Sequence, residues 1–75
     1  MSEEDKEIFI KFGQNIKKFR RERNMTIEEL STITGIRAQY LKRIELGTAK
    51  RLSVDHVFIF ADAFNLKPHE IVKGL

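Results

Sequence analysis

Apolar residues recur every three or four positions in five stretches of this chain, and the residues between those stretches are ones that start or stop helices. In the first stretch, Ile8 or Phe9, Phe12, Ile16 and Phe19 form a stripe that predicts a helix from about Glu4 or Asp5 to Arg23. Glu3, Glu4 and Asp5 suit its positive end, Arg21 and Arg23 its negative end, and Asn24 can stop it in the left-handed conformation. Ile10 falls off the stripe. Gly13 lies inside the helix, where it costs about 1 kcal/mol relative to alanine unless another backbone packs closely there.

The second and third stretches form one unit, MTIEELSTITGIRAQYLKRIELG, from Met25 to Gly47. Thr26 and Glu29 have capping-box spacing, with Met25 and Leu30 at the staple positions, so a helix begins at Ile27. Its mostly apolar face is Ile27, Leu30, Ser31, Ile33 and Thr34, and Gly35 ends it. Tyr40, Leu41 and Ile44 then define a further helix from about Arg37 to Leu46, stopped by Gly47. Ala38, Gln39, Lys42 and Arg43 are left on its outer face, with Arg37 at the entrance. None of these is acidic. Glu45 lies toward the flank, within reach of Arg20.

Ser53 caps the fourth predicted helix, which buries Val54, Val57, Phe58, Phe60 or Ala61, and Phe64, while Ile59 points away. Pro68 suits the first position of a fifth helix, and Ile71, Val72 and Leu75 close the core from below. Ile10 and Ile59 are left as exposed apolar residues: either scattered surface hydrophobes, which are common, or a dimer contact.

Two short amphipathic helices joined by a glycine-containing turn, the second with long polar side chains on its free face, form the helix-turn-helix arrangement at about 27–46. At these residues the chain resembles the lambda repressor and Cro type of helix-turn-helix domain, the xenobiotic-response-element (XRE) family of bacterial regulators. The resemblance extends to FGQNIKKFR (12–20) as first helix, SVDHVFIFADAFN (53–65) as fourth and LKPHEIV (66–72) as fifth. It implies an all-α, compact five-helix, lambda-repressor-like DNA-binding domain occupying residues 1–75. It further implies a transcriptional regulator, repressor-like, that binds double-stranded DNA as a homodimer on a palindromic operator and needs no cofactor.

Roles follow from the same resemblance, position by position. Gln39 sits where the family reads base edges and can bond adenine in a bidentate way; Arg43 can reach guanine O6 and N7; Ala38 is small enough to lie against a thymine methyl. Arg37, Lys42 and the Tyr40 hydroxyl are placed for the DNA backbone, although Tyr40 is also a core residue. Lys50 and Arg51 look like the family's backbone-binding loop. Arg20 and Glu45 match a structural pair that ties the first helix to the end of the recognition helix.

Charge sharpens this picture. The net +3 conceals eleven Lys or Arg against four Glu between Lys11 and Arg51, while the two ends together carry three Lys against seven acids. The basic part is the part that would neutralise phosphates and release counterions. Lys17, Lys18, Arg21 and Arg23 are equally readable as a solvated face of the first helix. With 75 residues and no cysteine, the chain suits one small core in a reducing cytoplasm, without disulfides or cysteine-based metal sites. No apolar run approaches membrane-spanning length, and the start, MSEEDKE, is acidic where a signal peptide would be basic.

Two departures separate the chain from the family pattern: Ile27 stands where a phosphate-clasping Gln is common, and Arg37 where Ser or Thr is usual. IRAQYLKRIE also resembles the helix-turn-helix of bacterial cell-shape adaptors, in which the fold docks onto an actin-like filament. That resemblance implies a protein-docking alternative, and an antitoxin acting with a toxin partner is another. Enzymatic chemistry has little to draw on. His56 and His69 have no carboxylate arrangement around them that resembles a metal site, and no glycine-rich phosphate loop is present.

Overall fold

Five helices follow one another in the computed structural model, which describes residues 3–75: α1 (Glu3–Glu22), α2 (Ile27–Thr34), α3 (Ala38–Leu46), α4 (Val54–Phe64) and α5 (Pro68–Ile71). The architecture is all-α, and none of the described helices is long and apolar enough to cross a membrane. Asn24, at φ 53°, ends α1 in the left-handed region, and Gly35 and Gly47 do the same for α2 and α3. The capping box of α2 is complete: Glu29 N donates to Thr26 Oγ1 at 3.0 Å and Thr26 N to Glu29 Oε1 at 2.9 Å.

Phe12 and Ile16 of α1, Leu30 of α2, Leu41 and Ile44 of α3, Phe60 and Phe64 of α4 and Ile71 of α5 form one buried cluster. Every helix contributes to it, so none can leave without exposing the others; each such side chain contributes about 1.5–3 kcal/mol by its burial. Phe12 meets Phe60 edge-on at 6.0 Å between centroids, and Phe60 stacks on Phe64 at 6.1 Å.

Several expected core positions lie outside. Val54 is 70% exposed and Phe58 52%, against the expectation that both are buried. The buried arc of α4 is centred on Phe60 and Phe64, flanked by Val57 and Ala63; at about 100° per residue Phe58 falls nearly opposite Phe60. Ile59 is half-buried rather than turned away. On α2, Ile33 is exposed because the packed face is Ile27, Leu30, Ser31 and Thr34, and Ile33 lies off that arc. Leu75 is exposed too. The helix α5 has ended by Ile71 and Gly74 turns at φ 85°, so Leu75 is not carried on the apolar face.

Two polar residues lock helix ends at long range. Arg23 donates to the Phe64 carbonyl from Nε (3.2 Å) and Nη2 (2.9 Å) and to the Phe19 carbonyl at 3.0 Å, its guanidinium lying over both rings. It caps α4, which corrects its reading as one of four solvated charges. Asn15 Nδ2 similarly donates to the carbonyls of Ile71 (3.0 Å) and Lys73 (2.9 Å) beyond the start of α5.

Candidate nucleic-acid interface

The turn between α2 and α3 is three residues, Gly35 to Arg37, and side chains of α2 hold it. Ser31 Oγ donates to the Ile36 carbonyl at 2.6 Å, while Thr34 Oγ1 accepts from Ile36 N at 3.2 Å and donates to the Leu30 carbonyl at 2.8 Å. These small hydroxyl residues satisfy turn groups that hydrophobic residues would leave unpaired. Arg37 occupies the N-cap of α3, and its side chain makes no capping hydrogen bond, as a group with no acceptor cannot. Its guanidinium is left for other work.

With Leu41 and Ile44 fully buried, the geometry of α3 turns Gln39, Lys42 and Arg43 outward, all exposed, and leaves Ala38 half-buried. One open cleft beside the helix is lined by Ile36, Arg37, Gln39, Tyr40, Arg43, Arg51 and His56. Three guanidiniums and an amide thus converge with no carboxylate among them. The Tyr40 hydroxyl donates to the Arg51 carbonyl and accepts from Arg51 N at 3.3 Å, so here it fixes the loop that carries Arg51. Lys42 lies on the opposite flank, in a shallow depression shared with Lys17, Arg21, Ile27 and the Arg20–Glu45 pair. Lys50 is exposed but is separate from Arg51's cleft, lining a third depression with Lys6, Ile10 and Leu46. Ile10 is 44% exposed and packs its own backbone against Gly47.

The Arg20–Glu45 pair is bidentate: Nε to Oε2 at 2.7 Å and Nη2 to Oε1 at 3.0 Å. Arg20 Nη1 also donates to the Met25 carbonyl at 2.7 Å, so one side chain joins α1, the start of α2 and the end of α3. The side chains are only 13% and 7% exposed. The hydrogen bond to Glu45 holds the Arg20 pKa above its ordinary value against the opposing effect of burial, helped by the charges of Glu45 and Glu28. Glu45→Ala leaves that guanidinium half of a broken pair, and a loss of about 3 kcal/mol is expected. Lys42→Ala, at an exposed position, should stay within about 0.5 kcal/mol. Thermal denaturation of the two variants checks this, and equal melting temperatures would count against the pairing.

A short helix, a three-residue turn pinned by hydroxyls, and a second helix presenting amide and guanidinium groups beside a basic cleft define a helix-turn-helix nucleic-acid-binding module. The helix-turn-helix family profile matches residues 16–71, and the chain belongs to that family, as a DNA-binding XRE-like transcription regulator. Among solved structures the chain is similar to the restriction-modification controller protein C.AhdI from Aeromonas hydrophila. The two are 25% identical, with a TM-score of 0.78 over 84% of this chain and 94% of that one. No curated protein sequence matches the chain. The families found are of DNA-binding regulators rather than enzymes.

From sequence His56 was weighed only as a metal ligand, and its place in the cleft was not foreseen. The signal was present as Ser53-x-x-His56 at capping-box spacing, which draws the ring back toward the loop before α4. Nothing in the sequence indicated that Lys17 and Arg21 share a depression with Lys42, because that depends on how α1 crosses α3.

Proposed function

We propose that this chain is a homodimeric, sequence-specific transcriptional repressor of the cytoplasm that inserts α3 into the major groove of a palindromic operator. The observation that carries this reading is the acid-free cleft along α3, with Gln39 and Arg43 outward and Arg37 and Arg51 on its walls. Gln39 reads adenine, Arg43 reads guanine O6 and N7, and Ala38 meets a thymine methyl. Arg37 and Arg51 hold phosphates on one side and Lys42, with Lys17 and Arg21, on the other, a placement that compensates for Ile27 in the position of a phosphate-clasping Gln, while Lys50 meets the backbone from its own separate depression. Tyr40 acts through the loop it pins. Similarity to a restriction-modification controller protein supports a regulatory role.

The homodimer seam is assigned to α4 in place of Ile10 and Ile59, since Val54 and Phe58, one turn apart, are its most exposed large apolar residues. A dimer joined through this face would have to hold its two recognition helices at about the 34 Å spacing of successive major grooves.

Selection from a random duplex library, followed by titrations at several salt concentrations, tests the reading. A two-half-site motif is expected. Gln39→Ala should relax preference at one position of each half-site, a discrimination of about 1–3 kcal/mol, whereas Lys50→Ala should weaken all sequences alike and flatten the salt slope by about 1. Recovery of no motif, with weak and salt-independent binding, would instead support protein docking.

A further inference from the structure

Among the described residues that line the basic cleft, His56 has one ring nitrogen whose role its partner fixes and a second with no protein hydrogen bond. Ser53 N donates to His56 Nδ1 at 3.0 Å. A backbone amide cannot accept, so Nδ1 is the bare nitrogen and the ring proton sits on Nε2. Ser53 Oγ lies 3.0 Å from the same Nδ1 and can supply a second donor to it. The imidazole also packs beside the Tyr40 ring, 6.3 Å between centroids and tilted 38°, so both its tautomer and its plane are set. Among the described residues no protein hydrogen bond engages Nε2. The charged and titratable groups that share the cleft are Arg37 of the turn before α3, Tyr40 and Arg43 of α3 and Arg51 of the loop, and no carboxylate lines it. A directed N–H donor among three guanidiniums is suited to an anionic oxygen.

We propose that His56 is a further DNA ligand of this interface, a neutral donor through Nε2–H to a backbone phosphate oxygen that the flanking arginines draw into the cleft. The proposal rests on the DNA-binding reading given above. It assigns separate tasks within the cleft: the arginines contribute charge, which has little directional demand, and His56 fixes where along the backbone the phosphate sits. Because His56 and Arg51 are joined through Tyr40 and Ser53, this contact sets the register of the loop and of α3 together.

The test uses the full chain and the duplex recovered by selection, at a fixed pH of about 8. His56→Asn keeps an acceptor for Ser53 N but is too short to extend into the cleft; His56→Gln keeps both an acceptor and a donor at longer reach; His56→Ala keeps neither. Asn and Ala variants should each bind roughly ten- to hundredfold more weakly, the effect of one hydrogen bond to a charged group. Gln should restore binding to within about twofold of wild type. The salt slope should be unchanged in all three, since a neutral donor releases no counterion, whereas Arg51→Ala should lower it by about 1. The Asn variant should melt close to wild type, which separates loss of the contact from loss of the cap. In the free protein, nitrogen NMR should show the proton on Nε2. Wild-type binding by the Asn variant, an affinity loss matched by a loss of melting temperature, or a proton on Nδ1 would overturn the proposal. Absence of any DNA binding by wild type would overturn the DNA reading and this inference with it, whereas strong wild-type binding left untouched by His56→Asn would overturn this inference alone.

Discussion

Gly13→Ala is expected to destabilise the protein by about 3 kcal/mol or more, although alanine is the better helix former by about 1 kcal/mol. A Cβ at position 13 would overlap the Ile44 carbonyl oxygen and lie 2.9 Å from the Glu45 carbonyl oxygen. Both belong to the backbone of α3, which cannot rotate aside as a side-chain tip would. The helices α1 and α3 must therefore separate, and with them Phe12 and Ile16 must leave Leu41 and Ile44. Gly35→Ala is the contrasting case. Gly35 has φ 75° with nothing within 4 Å of its would-be Cβ, so only the left-handed backbone is penalised, by about 1–2 kcal/mol. Urea titrations of the two variants should differ clearly in midpoint. A Gly13→Ala midpoint at or above wild type would mean that α1 and α3 do not approach as closely as this.

That contact shows which parts of the fold were legible in the sequence. The ends of α2 were, because Thr26, Glu29 and Gly35 are local chemistry acting over three or four residues. The possibility of close backbone packing at Gly13 was legible as a question, but the neighbour that answers it is some thirty positions away in the chain. The face of α4 was misread for a related reason. Its sequence VDHVFIFADAF is apolar around most of its circumference, so periodicity alone does not choose between Phe58 and Phe60. Contact with Phe12 chooses Phe60. Arg23 shows the same limit from the polar side: nothing near it in sequence identifies the Phe64 carbonyl it caps.

The outward face of α3 was more legible than the packing around it. Outward residues of α3 follow from the two side chains it buries, Leu41 and Ile44, and the helical repeat then places Gln39 and Arg43 outward without further information. The Arg20–Glu45 pair came from resemblance and is present with bidentate geometry. The division of the basic residues among separate flanks, with Arg51 beside α3's cleft, Lys50 facing Ile10 and Lys42 facing α1, was not visible, since Lys50 and Arg51 are chain neighbours whose side chains part company only in three dimensions.

Phe58→Asp should convert the protein from dimer to monomer and lower its affinity for a full operator on the order of 100-fold or more. If α4 is the seam, each copy of Phe58 contributes about 2 kcal/mol by burial, and two-fold symmetry doubles every change. Asp adds an unpaired charge to the desolvated seam, so the dimer dissociation constant should rise by three decades or so at 1.4 kcal/mol per decade. A monomer loses the effective concentration that couples two half-sites, a factor of about 10²–10⁴, while its affinity for an isolated half-site should be unchanged. Thermal stability measured on the monomer should hold or improve, since Phe58 is 52% exposed and lies opposite the core face. Two comparisons locate the seam. Ile59→Asp, at a half-buried position, should destabilise the fold itself, whereas Ile10→Asp should leave the dimer intact. Sedimentation equilibrium of the three variants reads these outcomes directly. Dissociation by Ile10→Asp with a surviving Phe58→Asp dimer would move the seam to the surface where Ile10 meets Gly47, and the spacing of the two recognition helices would have to be derived from that face.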